Sequence, residues 1–279
     1  MNDTAPGWSL GWRSHFLALA PDARLFARPA YLVVRMPDNP TYYWGNFLLT
    51  PQVPMDADLP LWLARAHQEI TAHQPLSDHV AVGVDGDLQP ARLPSWKAAG
   101  FEFHENCTLV LGPEQLRQRR VPREPGIAVR RLRLPQETDA ALQVQLACDD
   151  GDHEPGAYRE FRERVMQRAA RLDQAGQGHW FGAWVGDQLV ADCGLVYDRT
   201  GAGIGRFQNV ETHPACRRRG ACTALVEQVC RFAFDTLQLP RLVMCADPDD
   251  VAIGIYESLG FCRDSTHWLL QRRPPRDRR

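Results

Sequence analysis

The segment from Asn209 to Thr223 contains the residue types needed to bind a phosphate group. A predicted strand ends at Thr212, three consecutive arginines follow, and helical periodicity begins at Gly220. A helix start leaves four N–H groups without internal partners and carries partial positive charge. Glycine lets a bulky anion approach the backbone, and arginine supplies forked donors for phosphate oxygens. The segment therefore predicts a pyrophosphate site formed by Arg217, Arg218, Arg219, Gly220, Ala221, Cys222 and Thr223.

The elements that must position this segment follow from the spacing of apolar residues after residue 126. In chain order they are helices at 138–148 and 157–175, a hairpin of strands 180–185 and 188–197, a strand at 204–212, a helix at 220–237, a strand at 241–246, a helix at 249–259 and a strand at 261–270. Pro214 stops the strand before the arginine turn, because proline cannot continue a β ladder. This order predicts an α/β fold with a mixed β-sheet flanked by helices.

The pattern Arg217-x-x-Gly220-x-Cys222 resembles the acetyl-CoA signature of the GNAT superfamily, Arg/Gln-x-x-Gly-x-Gly/Ala, with cysteine at the last position. Pro214 and the sequence Tyr256-Glu-Ser-Leu-Gly260-Phe261 extend the resemblance, which covers roughly residues 130–271. It implies an N-acetyltransferase that uses acetyl-CoA. It further implies that backbone groups of Val210 and Thr212 bind the thioester arm, and that Tyr256 protonates the leaving thiolate.

A general base is harder to assign. An alkylamine with a pKa of about 10.4 is almost entirely protonated at neutral pH, so direct attack needs a base, a water chain or a less basic acceptor. Glu211 lies on the motif strand beside the expected acyl position and is the first candidate. The alternative for Glu211 is a strand-end carboxylate paired with a nearby arginine. The reserve candidates are His153, Glu154 and Asp192.

An acidic loop joins the first two predicted helices and contains Asp149, Asp150, Asp152, His153 and Glu154. By the same resemblance, this loop is expected to line the acceptor site. An acidic wall favours a cationic amine such as a polyamine, an aminoglycoside or a basic peptide end. The alternative is a polar loop that is simply solvated.

The N-terminal half repeats the same order of elements incompletely, with strand-like runs at 31–35 and 42–50, a helix at 59–72, a strand at 79–84 and a second helix before Gly100. Pro51 and Phe101 are 50 positions apart, and Pro214 and Phe261 are 47 apart. This spacing predicts an internal duplication. The polar, proline-rich segment at 112–126 then separates two GNAT-like copies in tandem, at residues 1–122 and 123–279.

The first copy lacks the cofactor signature. Pro54 and Ala57 stand at the positions of Arg217 and Gly220, and Trp96 replaces the tyrosine. Met55-Asp-Ala-Asp58 replaces the basic turn, and its carboxylates repel a pyrophosphate. Residues 1–122 are therefore interpreted as a degenerate copy. It would complete the sheet, cover the acceptor cleft or supply specificity through the aromatic residues Tyr42, Tyr43 and Trp44.

Composition narrows the classes of function that the chain could have. A net charge of -2 gives no global attraction to nucleic acid, although the tail from Arg272 to Arg279 is basic. No apolar run approaches the roughly 18 residues of a membrane span. Eight cysteines are spread singly and nine histidines show no metal-ligand spacing, which indicates a cytoplasmic protein without a metal.

The leading hypothesis is acetyl transfer from acetyl-CoA to a primary amine, either a small molecule or a peptide, by a monomer or homodimer. The alternatives are a non-catalytic acyl-CoA-binding sensor or scaffold, and nucleic-acid binding through the basic tail.

Overall fold

The computed structural model describes residues 7–118, 126–149, 151, 153–199 and 203–274. The chain divides into an N-terminal unit of residues 1–108, 246–248 and 264–279, and a C-terminal unit of residues 109–245 and 249–263. The predicted boundary at residue 122 lies outside the described residues. The tandem-domain assignment 1–122 and 123–279 therefore stays a prediction.

The N-terminal unit places helices on both faces of a mixed sheet. Its elements are α1 (Leu10–Leu19), β1 (Arg24–Ala27), β2 (Leu32–Arg35), β3 (Phe47–Thr50), α2 (Leu59–Ala66, continued by a π-helical turn at His67–Thr71), β4 (Val80–Val84), α3 (Pro94–Ala98) and the start of β5 (Glu102–Leu111). β1, β2 and β3 pair antiparallel in sequence, and β3 pairs parallel with β4. Trp12 of α1 packs with Phe47, whereas Trp62 of α2 packs with Leu48 and Val82. Strands β2 to β4 are almost wholly apolar, as expected for strands covered on both faces.

The C-terminal unit contains the predicted order of elements. They are β6 (Ile127–Arg131), α4 (Thr138–Ala147), α5 (Pro155–Gln174), β7 (Gly178–Val185), β8 (Gln188–Tyr197), β9 (Ile204–Thr212), α6 (Ala221–Arg231, continued by a π-helical turn at Phe232–Thr236), β10 (Arg241–Ala246), α7 (Ala252–Ser258) and the start of β11 (Cys262–Arg272). The sheet order is β10-β9-β8-β7-β6, parallel between β10 and β9 and antiparallel elsewhere.

Alternation along β7 explains why helices cover both faces of this sheet. Trp180 and Trp184 belong to the apolar cluster formed with α4 and α5. Phe181, which points to the opposite face, contacts Phe232 after α6, with ring centroids 5.1 Å apart. The predicted mixed α/β fold, a sheet flanked by helices, is confirmed.

The C-terminal strand β11 has a pairing partner that its place in the sequence does not predict. Sequence spacing alone groups it with the C-terminal elements, whereas Trp268–Arg272 pair antiparallel with β4 of the N-terminal unit. Trp268, Leu269 and Leu270 are all buried, so this part of the strand needs cover on both faces. The helices of the N-terminal unit supply that cover: Leu269 packs with Trp12 of α1 on one face, and Trp268 and Leu270 pack with Trp62 of α2 on the other.

The order of elements is repeated as predicted. The series β3–α2–β4–α3–β5 in the first half matches β9–α6–β10–α7–β11 in the second. Two elements outside this series, α1 and β1, were not predicted. The predicted helix from Gly220 to residue 237 is α6 followed by a π-helical turn.

Candidate active site

The turn between β9 and α6 has the geometry of an anion site. Gly220 precedes α6 with φ 82° and Arg218 has φ 62°, so two left-handed residues bend the chain sharply. Left-handed positions flanking a helix start turn successive N–H groups toward one point. The first-turn N–H groups of Ala221, Cys222 and Thr223 have no helical acceptor. The structure thus fits the predicted pyrophosphate cradle, while phosphate binding itself remains a proposal.

The side chains around this turn divide into exposed and anchored groups. Arg217, Arg218 and Arg219 are exposed, whereas Ala221 and Thr223 are buried and face the core. Arg217 Nε donates to the Thr212 carbonyl oxygen at 3.3 Å and so holds the turn against the end of β9. The small side chain of Cys222 is half-buried, which leaves the helix start accessible at the position where the GNAT pattern has glycine or alanine.

Strands β9 and β10 separate before they reach the turn. They pair only through Ile204, Gly205 and Arg206 on β9, within the described residues, yet β9 continues to Thr212. A bulge opposite Asp192 to Gly194 adds one residue to β9, and Asn209 there has φ 46°. Bulges re-aim side chains and end pairing next to active sites. The backbone of Val210 and Thr212 therefore borders the gap where the resemblance places the thioester arm.

Two carboxylates face each other beside this gap. Asp192 of β8 and Glu211 of β9 are direct cross-strand partners, so their side chains share one face of the sheet. Asp192 is fully buried and its Oδ2 accepts hydrogen bonds from Gln145 Nε2 at 2.8 Å and Trp180 Nε1 at 2.7 Å. Its Oδ1 and the Oε2 of Glu211 are buried without a hydrogen-bond partner among the described residues.

One buried arginine sets the charge state of this pair. Arg162 Nη2 donates to Glu211 Oε1 at 2.6 Å, and both side chains are at most 15% exposed. Burial raises the pKa of Glu211, and Arg162 opposes this shift. Burial and the charge of Glu211 raise the pKa of Asp192 to about 8. Because like charges this close cannot both ionise easily, we assign the proton to Asp192 and the negative charge to Glu211.

The arginine is held by α5. Arg162 Nε and Nη2 also donate to the Tyr158 hydroxyl at 2.8 and 2.6 Å, one helical turn earlier. Tyr158 stacks on His153, with ring centroids 4.6 Å apart, and His153 Nδ1 lies 2.7 Å from Asp149 Oδ1. A connected row of polar groups therefore runs from the predicted acceptor loop to Glu211.

The reserve bases have different environments. Asp192 belongs to the carboxylate pair, and His153 lies in the polar row between Tyr158 and Asp149. Glu154 caps α5, accepting from the N–H groups of Gly156 at 3.0 Å and Ala157 at 2.7 Å, so its carboxylate has a structural use. Asp150 and Asp152 lie outside the described residues.

Tyr256 is buried on α7 in the C-terminal unit. Burial raises its pKa well above the ordinary value, and the nearby Cys222 and Asp250 add to the shift. The phenol therefore keeps its proton at neutral pH, as an acid must. Burial likewise raises the pKa of Cys222 to about 12, so its thiol stays neutral beside the predicted cofactor site.

Three residues around the carboxylates were missed at the sequence level: Arg162, Tyr158 and Gln145. A signal for Arg162 exists, since Arg162, Met166 and Ala169 recur at helical spacing on the buried face of α5. A charged residue within such a stripe indicates a buried ion pair. Tyr158, one turn before Arg162, shares that face.

The equivalent turn in the N-terminal unit is acidic and occupied. Asp58 Oδ2 accepts from the Met55 N–H at 2.8 Å, and Asp56 accepts from the N–H and hydroxyl of Ser95 at 2.8 and 2.6 Å. These carboxylates place negative charge in the turn, which repels an anion. This contact pattern supports the hypothesis that the first half lacks a cofactor site.

The pH dependence of folding should report the proton on Asp192. Its ordinary pKa is 3.8 and its folded pKa is about 8, so the folded state binds the extra proton between those values. Stability is therefore lost as pH rises through this window. Asp192→Asn keeps the acceptor for Gln145 and Trp180, and we expect a flatter dependence of the unfolding free energy between pH 4 and pH 8, measured by urea denaturation.

Asp187→Asn, in the exposed β7–β8 turn, is the matched control and should follow the wild-type curve. Equal slopes for the wild type and Asp192→Asn would contradict the assignment of the proton to Asp192.

Within the described parts of the chain, no group of three or more His, Cys, Asp or Glu side chains is placed to hold a metal ion. None of the helices described is both long enough and apolar enough to cross a membrane.

Comparison with known proteins identifies the domain. Residues 139–261 match the family model described as the acetyltransferase (GNAT) family. A GCN5-related N-acetyltransferase from Kribbella flavida has a TM-score of 0.65 at 15% identity, covering 95% of this chain and 96% of its own. A functionally unknown conserved protein from Staphylococcus epidermidis has a TM-score of 0.70 at 13% identity, covering 93% and 98%.

A GCN5-related N-acetyltransferase from Sphaerobacter thermophilus has a TM-score of 0.52 at 16% identity, covering 87% of this chain and 80% of its own. At these identities the structures show a shared fold. No curated protein matches the chain by sequence. The family match and the shared fold together establish that this chain carries a GNAT-family acetyltransferase domain at residues 139–261.

Proposed function

We propose that the C-terminal unit transfers an acetyl group from acetyl-CoA to a primary amine. One observation supports the proposal: the β9–α6 segment contains both the left-handed turn at Gly220 and the buried, arginine-paired carboxylate of Glu211. The Thr212 carbonyl, between them, accepts from both Arg217 Nε and Cys148 Sγ at 3.3 Å. The groups proposed to bind the cofactor and to accept the proton therefore lie on one short stretch of chain.

The described residues suit acetyl-CoA. The turn at Arg217, Arg218, Arg219 and Gly220, together with the first-turn N–H groups of α6, would hold the pyrophosphate. The unpaired end of β9, including Val210 and Thr212, would bind the pantetheine arm through backbone groups. When bound, acetyl-CoA supplies a thioester carbonyl for attack by the amine.

Proton transfer is assigned to two groups. Glu211 accepts the proton of the acceptor ammonium at Oε2, the oxygen that Arg162 leaves without a partner. Asp192 has a pKa of about 8, so it keeps its own proton at neutral pH and limits the negative charge beside Glu211. Tyr256, whose raised pKa keeps it neutral, protonates the departing thiolate.

The proposed acceptor is an amine that arrives as a cation, from a small molecule or a peptide. Asp149 and Glu211 lie at the two ends of the polar row and attract such a group. Glu154 contributes less to this attraction, because its carboxylate caps α5.

Gly220→Glu tests the cofactor site. The substitution places bulk and negative charge at the cradle, and we expect it to weaken coenzyme A binding at least about tenfold in calorimetry. Gly176→Glu is the matched control, since Gly176 also has positive φ (65°) and open space around it in the same unit. Equal affinity in the two variants would contradict the proposed site.

Turnover separates the enzyme from a sensor or scaffold that only binds acyl-CoA. The wild type is incubated with acetyl-CoA, and free thiol is measured with and without a panel of cationic amines. Thiol release that requires an amine supports acetyl transfer. Tight binding without amine-dependent release from any acceptor would favour the sensor.

A further inference from the structure

The N-terminal unit carries an arginine cluster on one face of its sheet, formed by Arg24, Arg28, Arg35 and Arg65 around Glu69. Arg24 of β1 and Arg35 of β2 are direct cross-strand partners. Like charges placed directly opposite each other on an antiparallel pair are destabilising. Such a pair on an edge hairpin therefore needs either a counter-charge or a functional reason.

The one carboxylate in the cluster is already used. Arg28 grips Glu69 with two hydrogen bonds, Nε to Oε1 at 2.6 Å and Nη2 to Oε2 at 2.7 Å. The Tyr31 hydroxyl adds a third at 3.2 Å, and Glu69 is buried. Both oxygens are thus occupied, and Arg24, Arg35 and Arg65 form no ion pair with a carboxylate among the described residues.

Aromatic rings hold two of these arginines in place. The Arg35 guanidinium lies 4.1 Å from the centroid of the Phe26 ring. The Arg65 guanidinium lies 4.7 Å from the Tyr31 centroid and 4.8 Å from the Trp62 centroid. Stacking fixes the plane of a guanidinium but leaves its in-plane N–H donors unused. The donors are therefore oriented before any ligand arrives.

Arg35 has the clearest unused hydrogen-bond donor of the cluster. Its Nε is buried and has no hydrogen-bond partner within the described residues. Burial lowers the pKa of Arg35, Glu69 opposes the shift, and the like charges of Arg28 and Arg24 add to it. A buried guanidinium donor that lacks an acceptor is costly unless an anion completes it.

We propose that this arginine cluster is a binding site for a phosphate-bearing small molecule, a phosphomonoester or a pyrophosphate. The cluster contains four guanidinium groups and one carboxylate, so three positive charges are in excess. A phosphate group carries nearly two negative charges and three acceptor oxygens, which match forked donors from separate arginines. The site lies in the unit that lacks the GNAT signature, and it is independent of the acetyl-transfer proposal.

The test is calorimetric titration of the full chain with inorganic pyrophosphate, inorganic phosphate and citrate. Arg35→Gln and Arg65→Gln are compared with Arg92→Gln, an exposed arginine of the same unit outside the cluster. Loss of one charge-assisted contact should weaken pyrophosphate binding about tenfold or more in the first two variants and leave it unchanged in the third. The wild type and the three variants all keep the α6 turn, so any pyrophosphate binding there is the same in all four proteins.

Two results would overturn the proposal. One is that the wild type shows, at ligand concentrations up to about 1 mM, no pyrophosphate binding that Arg35→Gln or Arg65→Gln weakens. The other is citrate binding as tight as pyrophosphate, which would remove the assignment to phosphate. Thermal unfolding of each variant checks that the N-terminal unit is intact, and Arg65, on the surface of α2, provides a second readout if Arg35→Gln unfolds.

Discussion

Glu211→Gln is expected to lower kcat by about 10²–10⁴-fold, the usual contribution of a positioned general base. Glutamine keeps an oxygen that can accept from Arg162 Nη2, so the local hydrogen bond survives. It cannot take a proton from the acceptor ammonium. Coenzyme A affinity should stay unchanged, because the anion cradle begins at Arg217 and no contact there depends on the Glu211 carboxylate.

The pH profile distinguishes a base from a structural carboxylate. Glu211 must be ionised to act, so wild-type kcat should rise with pH as the carboxyl group, whose pKa burial raises, loses its proton. That limb should vanish in Glu211→Gln, leaving only the titration of the acceptor amine. The experiment is a steady-state series from pH 5 to pH 9 in both proteins.

Glu137→Gln is the matched control for this experiment. Glu137 is also paired with arginines, Arg130 and Arg133, in the same unit, but it lies away from β9. The kcat of Glu137→Gln should equal that of the wild type. A Glu211→Gln enzyme that keeps both its rate and its low-pH limb would assign the base to another group, and Asp192 would be tested next.

The β9–α6 turn and its flanking elements were predictable because their signals are local. Pro214 ends a strand, Gly220 occupies a left-handed position that glycine favours, and apolar spacing defines α6. The edge strand β1 gave no such signal, since only four residues form it and both ends are exposed. The pairing of β11 with β4 depends on residues about 190 positions apart, which periodicity cannot reveal.

The candidate site was predictable only in part for the same physical reason. Glu211 could be named as the candidate base from its place beside the signature. The alternative interpretation of Glu211, a carboxylate paired with an arginine, also describes the structure. The partner, however, is Arg162 on α5 rather than an arginine of the turn. Which carboxylate holds a proton depends on cross-strand register and burial, and the bulge at Asn209 sets that register.

Arg162→Met should lower the unfolding free energy by about 3–5 kcal/mol at neutral pH, because it leaves Glu211 as an unpaired buried charge. The remaining carboxylate faces Asp192 without a cation. The loss should shrink as pH falls, since without Arg162 the pKa of Glu211 rises further and protonation removes the buried charge at low pH. Urea denaturation followed by tryptophan fluorescence at pH 5 and pH 8 measures both effects.

Two comparisons isolate the charge from the lost packing. Arg164→Met removes a partly exposed arginine on the same helix, paired with Glu160 at i and i+4, and should cost less than about 1 kcal/mol. Combining Arg162→Met with Glu211→Gln should recover most of the lost stability, because no buried carboxylate is then left charged without a partner. If the double variant is as unstable as Arg162→Met alone, Arg162 stabilises the unit by packing against Tyr158 and Phe161. The charge balance proposed for the carboxylate pair would then be wrong.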